Sequence, residues 1–219
     1  MVSFCETRSS WKAFMDDETT PEILTIWNEA KAYIEQGNFE KAIEIYKYLL
    51  IRYGDNSVAV EHANAYLGDI YITIKQPDLA EIFINKAIGC NPEKPDYHYM
   101  LGFLYSTQNQ WEKAIREFEV AIEKNPRNAE CFRGLGWAEF NAGHRFRGME
   151  YLTKAQELEP SNVNILLDLA NAYLLNLDFE KAKQYAQKAL HLDPGNVLAR
   201  QVFDKICQFQ RDYGRTNNQ

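Results

Sequence analysis

The side chains with the clearest potential for chemistry are four histidines and four cysteines, and none of them lies in a catalytic motif. They are His62, His98, His144, His191, Cys5, Cys90, Cys131 and Cys207. The histidines lack the His-Glu-x-x-His spacing that places two imidazoles on one helix face for zinc. The cysteines form no Cys-x-x-Cys pair, so neither a zinc site nor a redox motif is indicated. No Gly-x-Ser-x-Gly elbow or glycine-rich phosphate loop occurs. The sequence predicts no enzyme, no cofactor and no metal site.

The composition is that of an acidic, folded protein. The 219 residues carry 24 Lys and Arg against 31 Asp and Glu, which gives a formal net charge of −7 at pH 7. A surface that follows nucleic-acid phosphates needs clustered cations, so nucleic-acid binding is not expected. The 46% hydrophobic content can supply a core. No run approaches the roughly 18 apolar residues of a membrane span, and the N-terminus lacks an apolar signal region. We therefore expect a cytoplasmic protein with no membrane contact.

The elements that must position any binding residues come from a unit that recurs along most of the chain. Its clearest copy, residues 95–128, predicts two helices, each with small and aromatic residues on one face. These residues are Leu101, Gly102, Tyr105, Ala114, Phe118 and Ala121. The copy ends at Pro126, because proline has no N–H with which to continue a helix. Prolines recur at intervals of 34 residues, at positions 92, 126, 160 and 194.

This period, with its Leu-Gly-x-x-Tyr, Ala-x-x-x-Phe and Pro positions, resembles the tetratricopeptide repeat over about residues 23–196. The resemblance implies an all-α fold in which antiparallel helix pairs stack into a right-handed superhelical solenoid. Its concave groove would be lined chiefly by the first helix of each pair. The predicted repeats are residues 23–56, 61–94, 95–128, 129–162 and 163–196.

Residues 197–213 are predicted as one further helix, which would cap the last repeat, with residues 214–219 as a flexible tail. Apolar residues lie broadly on one side of this helix. They are Val197, Leu198, Val202, Phe203, Ile206 and Phe209.

In the family, partners are bound by side chains at fixed positions of the first helices, and those positions are rich in aromatic residues here. Aromatic anchors are the usual energetic centre of peptide recognition. Some of them are expected to pack between helices as ordinary core. The predicted partner-binding residues are Trp27, Lys31, Tyr66, Asp69, Tyr99, Met100, Phe103, Arg133, Trp137, Asn141 and Asn171.

One subclass of the family grips a C-terminal carboxylate with lysine, asparagine and arginine side chains on successive first helices. The matching positions here hold Trp27, Lys31, Tyr66, Asp96 and Met100. The clamp is therefore absent, and an adaptor for chaperone tails is not expected. A different apolar peptide remains open as the ligand.

Repeat four departs from the pattern at Glu139, where an aromatic residue is usual, and at Gly148, where alanine is usual. An unpaired carboxylate between helices would be costly. Glu139 must therefore extend to solvent, pair with Arg145 or Arg147, or be displaced, with Phe140 available to fill the gap. Local compensation of this kind is favoured over a functional role for Glu139.

Residues 1–22 precede the repeats and carry Trp11, Phe14 and Met15, whose spacing places them on one face of a helical turn. Such a face needs an apolar surface to cover it. Docking on the first helix of repeat one would cap the array, whereas docking on the concave aromatic residues would occlude the groove. Capping is favoured, and both alternatives remain open.

These features predict a non-enzymatic protein–protein interaction scaffold, with a peptide or partner segment bound in an aromatic-lined concave groove. The alternative is a homo-oligomeric solenoid whose groove is occupied by its own N-terminal segment or by a neighbouring copy.

Overall fold

The computed structural model describes residues 20–216, and this part of the chain contains eleven α-helices and no β-strand. The all-α fold expected from the sequence is confirmed. The predicted leading helical turn at Trp11, Phe14 and Met15 lies outside the described residues. The helices are Pro21–Glu35 (α1), Phe39–Arg52 (α2), Ser57–Thr73 (α3), Pro77–Cys90 (α4), Pro95–Thr107 (α5), Trp111–Lys124 (α6), Ala129–Asn141 (α7), Arg145–Leu158 (α8), Val163–Leu175 (α9), Phe179–Leu192 (α10) and Val197–Thr216 (α11).

Short polar side chains fix where many of these helices begin. Thr20 Oγ1 accepts a hydrogen bond from the Ile23 amide at the start of α1. Asn56 Oδ1 accepts from the Ala59 amide at 2.7 Å and caps α3. Asn128 and Asn162 cap α7 and α9 in the same way. Each cap satisfies a backbone donor that has no partner inside the helix.

The turns between paired helices share one backbone conformation. A single residue in each has a positive φ, in the left-handed region. Successive positions are 34 residues apart, except for the first step of 38. The residues are Gly37 (φ 73°), Lys75 (φ 59°), Asn109 (φ 57°), Gly143 (φ 96°) and Leu177 (φ 62°). The chain therefore reverses direction with a positive φ at the same repeat position whether or not glycine is present.

The chain divides between Gln110 and Trp111 into two compact units. In the first unit, α3 packs against α2, α4 and α5 and is buried along most of its length. Gly68 lets α3 approach α4 closely, since a Cβ at this position would lie 2.6 Å from Ile84 Cγ1. Tyr46 of α2 stacks on Tyr66 of α3, with ring centroids 4.9 Å apart.

In the second unit, α7 and α8 approach through two glycines. A Cβ on Gly148 would lie 2.7 Å from the Gly136 carbonyl oxygen, and a Cβ on Gly136 would lie 3.0 Å from the Gly148 oxygen. Gly148 therefore replaces the usual alanine because the two backbones leave no room for a methyl group. The close approach also brings Phe140 into the core, where it packs with Leu152 and Ile165.

Glu139 is completely buried on α7 and is compensated locally. Its Oε1 lies 2.6 Å from Arg147 Nη2, and its Oε2 lies 2.6 Å from His144 Nδ1. Of the three outcomes considered from the sequence, pairing with Arg147 is the one observed. The guanidinium of Arg145 instead lies over the Phe140 ring, 5.7 Å from its centroid.

Helix α11 packs on α9 and α10 through Ala199, Val202 and Ile206. The predicted apolar face was wrong for three residues, since Val197 is 69% exposed, Leu198 is 55% exposed and Phe209 is 51% exposed. Val197 precedes Ala199 by two positions, which is about 200° around a helix, so the two cannot face the same neighbour. The buried stripe is centred on the small Ala199, which was not included in the predicted face.

Candidate partner-binding surface

All of the predicted partner-binding residues lie on α1, α3, α5, α7 and α9, the first helices of the predicted repeats. Four of them are buried, and Asn141 is exposed. Six are half-buried and so combine fixed positions with accessible surface. The buried residues are Tyr66, Asp69, Tyr99 and Met100. The half-buried residues are Trp27, Lys31, Phe103, Arg133, Trp137 and Asn171.

In the first unit, the half-buried indole of Trp27 packs against His62 of α3, with ring centroids 4.9 Å apart and planes tilted by 52°. Trp27 Nε1 is buried and has no hydrogen-bond partner among the residues that the structure describes. Burial, together with the nearby charge of Lys94, lowers the pKa of His62 to about 4. The imidazole is therefore neutral at pH 7, and Trp27 packs on an uncharged ring.

A carboxylate next to His62 ties α3 to the start of α5. Glu61 Oε1 accepts hydrogen bonds from the Tyr97 hydroxyl at 2.6 Å, from Lys94 Nζ at 3.3 Å and from Asn91 Nδ2 at 3.3 Å. Burial alone would raise the pKa of Glu61, but these donors and the Lys94 charge outweigh burial and lower it. The group stays ionised at neutral pH and is saturated by its own partners, which marks it as structural.

In the second unit, Arg133 of α7 links two carboxylates. Its Nη2 lies 2.7 Å from Glu130 Oε2, and its Nη1 donates to Asp168 Oδ2 of α9 at 2.9 Å. The Trp137 side chain donates to the same Asp168 carboxylate. Burial raises the pKa of Asp168 even though Arg133 and Trp137 both act to lower it. Arg133 and Trp137, two of the predicted binding residues, are thus brought together by Asp168, which lies at a groove position of the family but is not in the predicted set.

The indole of Trp137 is held on a second side by Phe140, with ring centroids 5.6 Å apart in an edge-on arrangement of 74°. Asn141 Nδ2 donates to the Trp137 carbonyl oxygen at 2.7 Å, so this exposed amide is bonded to its own helix. The α7–α9 surface therefore presents a fixed, half-exposed indole beside one guanidinium and two carboxylates. Such a surface can form apolar and ionic contacts with a polypeptide.

The contacts of Glu61 and of Arg133 were not predicted from the sequence, because their partners on other helices are remote in sequence. Tyr97 follows Glu61 by 36 residues, and Asp168 follows Arg133 by 35. Both separations are close to one repeat length, which is the only sequence signal that could have paired them. Among residues 20–216, no group of three or more histidine, cysteine or acidic side chains could hold a metal ion. No helix in this range is long and apolar enough to cross a membrane.

Family models described as tetratricopeptide repeat match residues 28–95, 95–128 and 163–196. Together these matches cover more than half of the chain, and the fold agrees with them. The chain belongs to the tetratricopeptide repeat family, whose members are generally protein-interaction scaffolds.

Several known proteins resemble the chain. Anaphase-promoting complex subunit 3 of Schizosaccharomyces pombe is 26% identical over 132 residues, covering 60% of this chain and 20% of that protein. A TPR repeat-containing protein of Methanocaldococcus jannaschii is 26% identical over 200 residues, covering 87% of this chain and 33% of that protein. The chain thus spans a third or less of the length of these relatives. The solved structure of PilF from Pseudomonas aeruginosa superposes with a TM-score of 0.71 at 18% identity, covering 88% of this chain and 86% of that one. This likeness concerns the fold alone.

Proposed function

We propose that the protein is a non-enzymatic scaffold that binds a peptide or partner segment on the α7–α9 surface, with Trp137 as an anchor. The observation that carries the proposal is the half-buried indole of Trp137, which remains accessible although Asp168 and Phe140 fix its position. Aromatic side chains of this kind contribute much of the binding energy at protein interfaces.

The surroundings of Trp137 favour binding because they are already ordered. Arg133 is held by Glu130 and Asp168, so its side chain loses little freedom when a partner arrives. The two carboxylates exceed the single guanidinium by one negative charge, which suits a polar or basic group on the partner. The Schizosaccharomyces pombe relative is by its name a subunit of a complex, which supports a role among protein partners.

A peptide-display library selected on the intact chain provides the ligand for a test. Replacing Trp137 with alanine should weaken a selected peptide by about 2 kcal/mol or more if the indole is an anchor. Trp137→Phe, which retains a ring but removes the donor to Asp168, should lose less. Affinities are measured by fluorescence polarisation, and thermal unfolding is followed in parallel so that only folded variants are compared.

The matched control is Tyr48→Ala. Tyr48 is a half-exposed aromatic residue on α2, a second helix that carries none of the predicted binding residues. Its loss should leave the affinity unchanged. If no selected peptide distinguishes Trp137→Ala from the wild type, the proposed binding surface is wrong.

A further inference from the structure

A second surface on α8 has the properties of a docking site. Phe146 lies in the first turn of α8, and 76% of its surface is exposed. In the other predicted repeats, the same position holds an acidic residue. These residues are Glu40, Asp78, Glu112 and Glu180, and each lies in the first turn of its helix.

An acidic residue in the first turn interacts favourably with the positive end of the helix dipole. Helix α8 has no acidic residue in its first turn. Repeat four also has Arg145 at the preceding position, where repeats one, three and five have Phe39, Trp111 and Phe179. Compared with those repeats, repeat four has its aromatic residue one position later in the sequence. This places the ring on the solvent side of the helix instead of the half-buried side. Arg145 gains a contact with the Phe140 ring. At Phe146 itself the exchange does not favour folding, because the ring is exposed and the helix loses a favourable charge.

Phe146 forms the edge of a shallow pocket of about 330 Å³ that Met149 and Tyr173 also line. Met149 and Tyr173 are both half-buried. The Tyr173 ring is fixed, because it stacks on Tyr185 with centroids 5.4 Å apart and planes within 10°. Lys181 Nζ lies over the Tyr173 ring, 5.1 Å from its centroid. The pocket therefore has a rigid aromatic wall and an apolar edge.

Charged residues at the same pocket indicate what kind of side chain would enter it. Lys154 Nζ lies 3.0 Å from Glu157 Oε2, so these two charges offset each other. Glu150 also lines the pocket and makes no ion pair within residues 20–216. The pocket is therefore lined by three apolar or aromatic side chains, by Thr153 and by three charged side chains whose net charge is −1.

We propose that this pocket binds a segment of a partner protein that carries a large apolar side chain next to a lysine or arginine. The apolar side chain would lie against Phe146, Met149 and Tyr173, and the basic group would pair with Glu150. The site is additional to the proposed Trp137 surface, because Phe146, Met149 and Glu150 all belong to a second helix, α8.

The probe is a set of short peptides selected by display on the intact chain and then synthesised. Peptides that use this pocket should contain an aromatic residue, leucine or methionine beside lysine or arginine. Phe146→Glu should weaken their binding by at least about tenfold. It should not lower the melting temperature, because it restores the acidic residue found at this position in the other repeats. Ile51→Glu is the control, since Ile51 is 84% exposed on α2 and contributes nothing to the pocket; it should leave the affinity unchanged.

A charge exchange tests the role of Glu150. Glu150→Lys should weaken a basic peptide, and an analogue with glutamate in place of the peptide's basic residue should regain affinity for this variant. Trp137→Ala separates the two surfaces, because peptides lost only with Trp137 belong to the other proposal.

Four results would overturn the proposal. The first is that no selected peptide depends on Phe146. The second is that Phe146→Glu lowers the melting temperature, which would make the ring structural. The third is that Phe146-dependent binding appears only after residues 1–18 are removed, which would make the chain's own segment the occupant. The fourth is a dimer mass that Phe146→Glu abolishes, which would make a second copy the occupant.

Discussion

At the scale of single residues, His62 shows how a polar side chain is accommodated in the core. Its imidazole is 5% exposed, packs against Trp27 and lies beside the charged pair of Glu61 and Lys94. Because its pKa is about 4 in the folded protein against about 6.5 for an ordinary histidine, the folded state takes up this proton later than the unfolded chain as the pH falls.

This difference predicts a loss of stability in mild acid. The neutral His62 should have no effect on the pH dependence above about pH 6.5. As the pH falls from there to about 4, the free energy of unfolding should decrease by roughly 3 kcal/mol in all. His62→Gln removes the titrating group, so its free energy of unfolding should fall less between pH 7 and pH 4.5 than that of the wild type, as measured by urea denaturation. Gln187→Ala, at an exposed site on α10, removes no titrating group and should keep the wild-type dependence. Equal slopes for the wild type and His62→Gln would show that the imidazole is not held neutral.

The burial and contacts of the candidate binding residues were only partly predictable from the sequence, for a physical reason. A repeat position specifies the helix face on which a side chain lies, but not how far neighbouring helices cover it. Tyr66 occupies a groove position of the family, yet it stacks on Tyr46 inside the first unit. Glu139 and Arg147 could be paired in advance because they lie close in sequence. Arg133 and Asp168 could not, because their contact requires two helices of different repeats to be aligned.

At the scale of elements, α11 follows the last predicted repeat and buries one stripe of its surface. We infer that it caps the second unit, because Val202 and Ile206 close the cluster formed by Leu166, Leu167 and the alanines of α10. The period of the repeats predicted that a helix would follow the last repeat. The orientation of this helix could not be predicted, because its apolar residues occupy more than one face and only packing on α9 and α10 selects among them.

Two substitutions in α11 test this orientation. Ile206 is completely buried, so Ile206→Ala should lower the free energy of unfolding by about 2–5 kcal/mol. Phe209 lies three residues further on and is half-exposed, so Phe209→Ala should change it by no more than about 0.5 kcal/mol. Chemical denaturation measures both. Equal losses would show that α11 is not seated by the Ala199, Val202 and Ile206 stripe.

At the scale of the whole molecule, small residues at regular intervals made the all-α fold predictable. Gly68 against Ile84 and Gly136 against Gly148 allow helices to approach within each unit, and the sequence spacing alone indicates such contacts. The displaced aromatic residue at Phe146 could also be found by aligning the repeats. Its pocket could not, because Tyr173 comes from the following helix, α9.

The role of residues 1–18 is a prediction for the intact chain. If this segment caps the array, its removal should lower the free energy of unfolding and leave the affinity for a Trp137-dependent peptide unchanged. If it occludes the groove, removal should raise that affinity. Denaturation and peptide titration of the full and shortened chains distinguish these outcomes, and a shortened chain unchanged in both would contradict docking altogether.

The left-handed turns have a consequence for how freely the sequence can vary without altering the backbone. Glycine at Gly37 or Gly143 fits the turn without strain, but it gives the unfolded ensemble extra conformations, at a cost of about 0.5–1 kcal/mol. Leucine at Leu177 restricts the unfolded ensemble but carries native strain of about 1–2 kcal/mol. These opposing costs are similar in size, so four residue types can support one turn geometry. The sequence of the turn can therefore vary at this position while the positive φ and the reversal of the chain are kept.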